Sequence, residues 1–154
     1  MLPDHRPERK PQYHLPPFWV SEHAVFFVTI KCQERGRNQL ANHSIAEALI
    51  AGWQHYQSQG DCCVRALVVM PDHLHLMLSF SWEPGKGMPK LIENWKRFTG
   101  RKCGITWQRG FFDHRIRNEE DHDQKWHYIV QNPFHAGLVT ESEPWPYLWI
   151  NTYV

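Results

Sequence analysis

The chain has 154 residues, 42% of them hydrophobic and eight of them Trp, with a formal net charge of +1. That length suits one domain with a single core, and the lack of any apolar run near the roughly 18 residues of a membrane span argues against an integral membrane protein. The composition predicts a packed, soluble, cytoplasmic protein. Four cysteines, without a signal peptide or the paired spacing of a structural zinc site, are expected to be free and mostly buried.

Composition also predicts how the chain is divided. Residues 1–17 contain five of the eleven prolines and several charges but no apolar segment, which is typical of a flexible or extended arm. Residues 18–149 hold the apolar segments and form the predicted domain, and residues 150–154 are expected to be a short tail. Pro144 and Pro146 predict irregular structure near that end of the chain.

The first two predicted elements are a strand and a helix. Residues 24–30 are β-branched and aromatic and lead into a charged turn, which predicts a strand. Ser44 followed by Glu47 has the spacing of a capping box. Apolar side chains then recur at helical intervals until Gly60 ends the pattern. We therefore expect an amphipathic helix directly after the first strand.

Two further apolar runs follow, at residues 62–70 and 73–80. The dipeptide Pro71-Asp72 between them is a turn signal. Strands joined by so short a connection must pair antiparallel. This part of the sequence therefore predicts a β-hairpin.

The second half of the domain predicts two helices separated by a short strand. The first helix has an apolar stripe that begins at Met88 and a basic opposite face. Residues 105–112 are expected to form the strand. Residues 119–131 predict the second helix, with acids in its first turn, where the helix dipole favours them, and Pro133 closing it.

The order of these elements predicts the fold class. Strand, helix, strand, strand, helix, strand is the pattern of an α+β, ferredoxin-like (RRM-like) sandwich. In such a sandwich an antiparallel sheet is covered by helices packed on one face. The sequence therefore predicts this architecture for the domain.

His73 and His75 are candidate metal ligands. Side chains alternate along a strand, so these two point to the same face with Leu74 on the other, and two neighbouring imidazoles can chelate one ion. The alternative is a pair of polar residues on a solvated sheet face. The position of the pair, directly after the Pro-Asp turn at the start of a very apolar strand, favours the metal site.

The last helix carries a second set of candidates. Tyr128 and Asn132 are four residues apart and therefore share a helix face. An amide oxygen can complete a metal site, and mixed imidazole and oxygen ligands suit Mg²⁺ or Mn²⁺, with Zn²⁺ as a further option. The alternative for Tyr128 is a helix tyrosine half-buried against the sheet. Spacing alone leaves both readings open.

Basic residues are concentrated between Lys96 and Arg117, from the second predicted helix onward, and outnumber the acids there. Such a local excess can neutralise a phosphate backbone even though the whole chain is nearly neutral. Nearby aromatic side chains could stack on unpaired bases, although most are expected in the core. The candidate DNA contacts are Lys96, Arg97, Arg101, Arg109, Arg115 and Arg117.

Three segments resemble the signature blocks of the REP-associated tyrosine transposases, within the single-tyrosine HUH transposase superfamily. They are Val68-Val-Met-Pro-Asp-His-Leu-His-Leu-Met-Leu78, Trp107-Gln-Arg-Gly-Phe-Phe-Asp-His-Arg-Ile-Arg117 and Tyr128-Ile-Val-Gln-Asn-Pro-Phe-His-Ala-Gly-Leu-Val139. The likeness runs in order from about Phe18 to Trp149.

The resemblance implies a role for each candidate. His73 and His75 would bind a divalent metal, Asn132 would be the third ligand, and Tyr128 would be the nucleophile. His135 stands where the family commonly has Arg, which would soften a phosphate contact without touching the catalytic set. Candidates for a general base, His114 and His127, are more typical of structural or phosphate-facing positions.

The function implied is cleavage and rejoining of single-stranded DNA at hairpin-forming repeats, through a 5′-phosphotyrosine intermediate. The partner would be single-stranded or hairpin DNA, and the protein would act as a monomer or a homodimer. One alternative is a non-catalytic ferredoxin-like nucleic-acid-binding module. Another is a metal-dependent phosphodiesterase that uses activated water, for which Tyr128 would be dispensable.

Overall fold

The computed structural model describes residues 24–81 and 87–152, so the predicted arm at 1–17 lies outside the described residues. Eight elements follow one another along the chain. They are β1 (Phe26–Lys31), α1 (His43–Ser58), β2 (Cys62–Val69), β3 (His73–Phe80), α2 (Met88–Cys103), β4 (Phe112–Arg115), α3 (Glu119–His135) and β5 (Leu148–Ile150).

The strands form one antiparallel sheet in the order β4-β1-β3-β2-β5. Its first four strands and the helices α1 and α2 have the βαββαβ order of the ferredoxin-like sandwich, which confirms the predicted α+β class. The hairpin of β2 and β3 is confirmed as well. The fifth strand, β5, was not predicted and extends the sheet at β2.

One face of the sheet is sealed by α1 and α2. Trp53 of α1 and Trp95 of α2 are fully buried and stack with ring centroids 5.3 Å apart. Rings of this kind each bury roughly 150–250 Å². Gly52 permits the close approach, because a Cβ there would lie 3.0 Å from the Trp95 ring. This side of the sheet holds the larger hydrophobic core.

The helix α3 lies across the opposite face. Side chains that alternate with the main core, among them Phe27 and Met77, form a second, smaller cluster with Ile129 of α3. The helices α1 and α2 therefore share one face as predicted, and α3 occupies the face they leave open. The sheet is consequently covered on both sides.

Two helix ends differ from the predictions. Asn42, with an extended backbone, caps α1 by accepting a hydrogen bond from the Ile45 N–H at 3.1 Å, and Ser44 is already helical. At the other site, Pro133 lies inside α3 and does not end it. A proline in the last turn removes only one helical N–H, and the Ala136 N–H still bonds the Asn132 carbonyl at 2.9 Å.

The strand predicted at residues 105–112 was also misplaced. Residues 105–111 are irregular apart from a bridge between Cys32 and Trp107, and β4 begins only at Phe112. Part of the reason is Lys96, whose Nζ donates to the carbonyls of Gln108 and Gly110 at 2.7 and 2.9 Å. These two carbonyls therefore bond a side chain of α2 instead of a neighbouring strand. No helix in the described part of the chain is long and apolar enough to cross a membrane.

The four cysteines are free, as predicted, but only Cys32 and Cys62 are buried. Burial raises the pKa of the Cys32 thiol to about 11 and that of Cys62 to about 12, and a thiol rather than a thiolate reacts slowly. At neutral pH we expect Ellman's reagent to modify Cys63 and Cys103 well before these two, which should react only after denaturation. Peptide mapping of the labelled protein checks this order, and early labelling of Cys62 would contradict it.

Candidate active site

His73 and His75 lie at the start of β3 on the sheet face covered by α3. Their ring centroids are 4.8 Å apart, because residues two apart on a strand point the same way. His75 is only 5% exposed and His73 is half-buried. The strand thus places two imidazoles side by side under the third helix.

A neighbouring side chain holds one nitrogen of each imidazole. His75 Nδ1 lies 2.8 Å from the Thr29 hydroxyl of β1, and His73 Nδ1 lies 2.7 Å from a carboxylate oxygen of Asp72. His75 Nε2 is buried and has no hydrogen-bond partner among the described residues. One nitrogen held by the protein and one left free is the arrangement of metal-ligating histidines.

The surroundings keep both rings neutral at neutral pH. Burial lowers the pKa of His75 well below its ordinary value, and repulsion by His73 when that ring is protonated, and by Lys31 and Arg35, adds to this. Burial also lowers the pKa of His73, although the Asp72 carboxylate opposes the shift. A neutral imidazole has a lone pair to offer, so both residues are suited to bind a metal ion.

Asp72 is itself fixed by the loop that follows β1. The Gly36 N–H donates to its carboxylate at 2.8 Å, and Arg35 Nε lies 3.5 Å away. Burial alone would raise the pKa of Asp72, but the hydrogen bonds from Gly36 and His73 and the charge of Arg35 together lower it. Gly36 has a φ of +81°, a conformation that favours glycine. The carboxylate is therefore ionised and held against His73.

Tyr128 projects from α3 over this pair. Its ring meets the His75 ring edge-on with centroids 5.1 Å apart and meets Phe27 at 5.8 Å. Phe27 in turn stacks on His75 at 5.2 Å with an interplanar angle of 22°. Tyr128 remains 49% exposed. The phenol ring is therefore partly accessible from solvent.

Asn132 follows Tyr128 by one helical turn and is partly buried. Its position on the same helix face directs the amide to the side of α3 that meets the sheet. No group of three or more His, Cys, Asp or Glu side chains that could hold a metal occurs among the described residues. A metal held by His73 and His75 would thus need an amide oxygen or another donor, and Asn132 is the candidate on α3.

The structure separates the predicted DNA contacts from one another. Lys96 is only 7% exposed, and its ammonium is bound to two backbone carbonyls. It therefore stabilises a loop and is not positioned to contact DNA. Arg97 and Arg101 are exposed on α2, on the far side of the sheet from Tyr128. Arg109 and Arg117 are exposed, and Arg115 is half-buried on β4.

The two candidates for a general base are placed differently. His114 lies on β4, and its Nε2 is 2.8 Å from a carboxylate oxygen of Asp121. This contact joins β4 to the first turn of α3. His127 is exposed and adjoins Tyr128 in α3.

Sequence reasoning missed four residues around the site, namely Phe27, Thr29, Asp72 and Lys125. Phe27 and Thr29 lie opposite Met77 and His75 in the β1–β3 register, and that register is a long-range contact that local patterns do not contain. Asp72 and Lys125 were within reach, because one adjoins His73 and the other precedes Tyr128 by one helical turn.

Comparisons with known proteins identify the family of this chain. The family described as "Transposase IS200 like" matches residues 21–132. A Haemophilus influenzae protein with the provisional name REP-associated tyrosine transposase is 27% identical over 143 residues, which cover 80% of this chain and 77% of that protein. The REP-associated tyrosine transposase of Escherichia coli K12 is 33% identical over 90 residues, 54% of this chain and 52% of that protein.

A solved structure of a REP-associated tyrosine transposase bound to a REP hairpin has the same fold. It superposes with a TM-score of 0.71 at 24% sequence identity, over 84% of this chain and 78% of that one. The family match spans the first four strands, both histidines, Tyr128 and Asn132. The chain therefore belongs to the IS200-like transposases, a family of enzymes, and the relatives that it resembles there are REP-associated tyrosine transposases.

Proposed function

We propose that this chain cleaves and rejoins single-stranded DNA through a covalent bond between Tyr128 and a 5′-phosphate. The observation that carries the proposal is the contact of a half-exposed tyrosine ring with His75, whose buried Nε2 has no partner in the described structure. A buried nitrogen left unpaired costs about 1–3 kcal/mol. Such a cost is understandable where the atom is reserved for a ligand.

His73, His75 and Asn132 are the residues that would hold Mg²⁺ or Mn²⁺. The fit rests on the donor set, which consists of two neutral imidazoles and an amide. Thr29 orients the imidazole of His75, and Asp72 orients that of His73. When bound, the ion would polarise the scissile phosphate and offset the charge that builds on it. We infer that Asn132 approaches the two histidines closely enough to share the ion with them.

The proposed reaction exchanges one phosphoester bond for another. The phenolic proton of Tyr128 passes to solvent, Oη attacks phosphorus, and the bond from phosphorus to the 3′-oxygen breaks, after which that oxygen takes up a proton. The product is a 5′-phosphotyrosine and a free 3′-hydroxyl. Attack by a 3′-hydroxyl on this adduct restores the DNA and the tyrosine, so strand transfer needs no ATP.

The proposed substrate is single-stranded DNA that carries a hairpin, the kind of ligand bound by the structural relative. Backbone contacts are proposed for Arg109, Arg115 and Arg117, which lie on or beside β4. Arg97 and Arg101 on α2 would contact a strand that reaches the other side of the sheet. The catalytic unit is proposed to span residues 18–149, as a monomer or a homodimer.

The proposal is tested with a labelled hairpin oligonucleotide and the wild-type protein. A protein–DNA adduct that survives denaturation should form with Mg²⁺ or Mn²⁺ and should be absent with EDTA. Treatment with a protease should reduce the adduct to a peptide on the 5′ end of the cleaved strand. Binding without any cleavage would favour a DNA-binding module, and metal-dependent cleavage without an adduct would favour attack by water.

A further inference from the structure

Lys125 lies one helical turn before Tyr128 on the side of α3 that faces the sheet. Residues three apart are neighbours on a helix surface. Lys125 Nζ is 5.6 Å from the centroid of the Phe27 ring, and the Tyr128 ring meets that same ring at 5.8 Å. The ammonium and the phenol therefore share one aromatic neighbour.

Phe27 determines the position of the Lys125 ammonium. The ring is 5% exposed and stacks on His75 with centroids 5.2 Å apart, so its position is set by β1 and β3. A cation over an aromatic face is held there electrostatically. The charge of Lys125 is thereby kept beside the contact of Tyr128 with His75.

No salt bridge of Lys125 occurs among the described residues, although the pKa of Asp121 is lowered first by the hydrogen bond from His114 and also, more weakly, by the charge of Lys125. Asp121, one turn earlier on α3, is engaged by His114 Nε2 at 2.8 Å and by the Arg117 N–H at 3.1 Å. A second lysine, Lys31, is directly opposite His73 in the β1–β3 register and so lies on the same face of the sheet. Two lysines flank the candidate site, which favours an anionic ligand there.

We propose that Lys125 is a catalytic residue that binds a non-bridging oxygen of the scissile phosphate, an inference that rests on the proposed function. Attack by the deprotonated Oη of Tyr128 adds a second negative charge to the phosphodiester as the bond to Oη forms and the bond to the 3′-oxygen breaks. A fixed ammonium stabilises that developing charge more than the single charge of the ground state. Lys125 neither gives nor takes a proton in this step.

The test compares single-turnover rates of adduct formation at saturating hairpin DNA and Mn²⁺. Lys125→Met keeps the length and the apolar part of the side chain but removes the charge. Its rate should fall on the order of a hundredfold, the effect of losing one charge-stabilising donor. Lys125→Arg keeps the charge and should stay near the wild-type rate. Thermal unfolding of both variants should remain close to that of wild type.

The chain offers a matched control in Lys102. Its Nζ lies over the Phe98 ring at the same 5.6 Å, but on α2 and across the sheet from Tyr128. Lys102→Met removes the same charge and the same kind of ring contact, and it should form the adduct at the wild-type rate. Equal slowing of Lys102→Met and Lys125→Met would overturn the proposal by showing a general charge effect.

Two other outcomes would overturn it. A Lys125→Met rate within about twofold of wild type would show that no phosphate oxygen depends on this charge, since a lost donor costs far more. Equal slowing of Lys125→Met and Lys125→Arg would assign the residue to packing. If the wild type itself forms no adduct, the proposed function fails, and this is distinct from a failure of Lys125 alone.

Discussion

Tyr128→Phe is expected to bind hairpin-bearing single-stranded DNA as wild type does and to form no covalent adduct with it. The change removes one oxygen and keeps the ring, so the contacts with His75 at 5.1 Å and Phe27 at 5.8 Å can persist. Loss of an enzymatic nucleophile has cost on the order of 10⁶ in rate, which would put cleavage below detection. Denaturing gels and a binding titration measure the two properties separately.

Tyr56→Phe is the control for this variant. Tyr56 is also a partly buried helix tyrosine, but it lies on α1 with its ring 6.0 Å from Trp53, in the core on the other face of the sheet. It should cleave as wild type does. Cleavage by Tyr128→Phe at the wild-type rate would make Tyr128 a packing residue and would require water as the nucleophile.

His75→Ala is expected to lose both DNA cleavage and Mn²⁺ binding. Thr29→Val is expected to weaken Mn²⁺ binding by about 10- to 100-fold, the usual effect of removing a side chain that orients a metal ligand. Thr29 is 6% exposed and holds His75 Nδ1 at 2.8 Å. Valine keeps its shape but leaves the imidazole free to turn. Isothermal titration of the protein with Mn²⁺ in the absence of DNA measures both effects.

Two controls distinguish loss of the metal site from loss of the fold. His75→Ala removes a buried ring but also an unpaired nitrogen that costs about 1–3 kcal/mol, so we expect the variant to fold. Thr99→Val alters a fully buried threonine of α2 that accepts a hydrogen bond from Trp107 Nε1 at 3.1 Å. It should lower the melting temperature and leave Mn²⁺ affinity unchanged. Unaltered Mn²⁺ binding by His75→Ala would remove the basis of the metal site.

The parts of the site that the sequence predicted are those set by local geometry. His73 and His75 share a face because a strand alternates, and their ring contact follows from two residues of spacing. Tyr128 and Asn132 share a helix face for a similar reason. Thr29 could not be found this way, since it meets His75 only through the pairing of β1 with β3, 46 residues away in sequence.

Side chains with two possible roles account for the remaining differences. A lysine on an amphipathic helix is usually exposed, but Lys96 is buried and its ammonium donates to two loop carbonyls. Proline usually ends a helix, but α3 continues through Pro133 to His135, and the Ala136 N–H still bonds the Asn132 carbonyl. The periodicity of a helix also does not determine which face of the sheet the helix covers. The position of α3 therefore could not be predicted from its sequence pattern.

The two faces of the sheet differ in what they contribute to this protein. One face, with α1, α2 and the larger core, supplies most of the buried apolar surface, whereas the candidate reacting groups lie on the other face beneath α3. Substitutions that end the chemistry can therefore leave the fold intact.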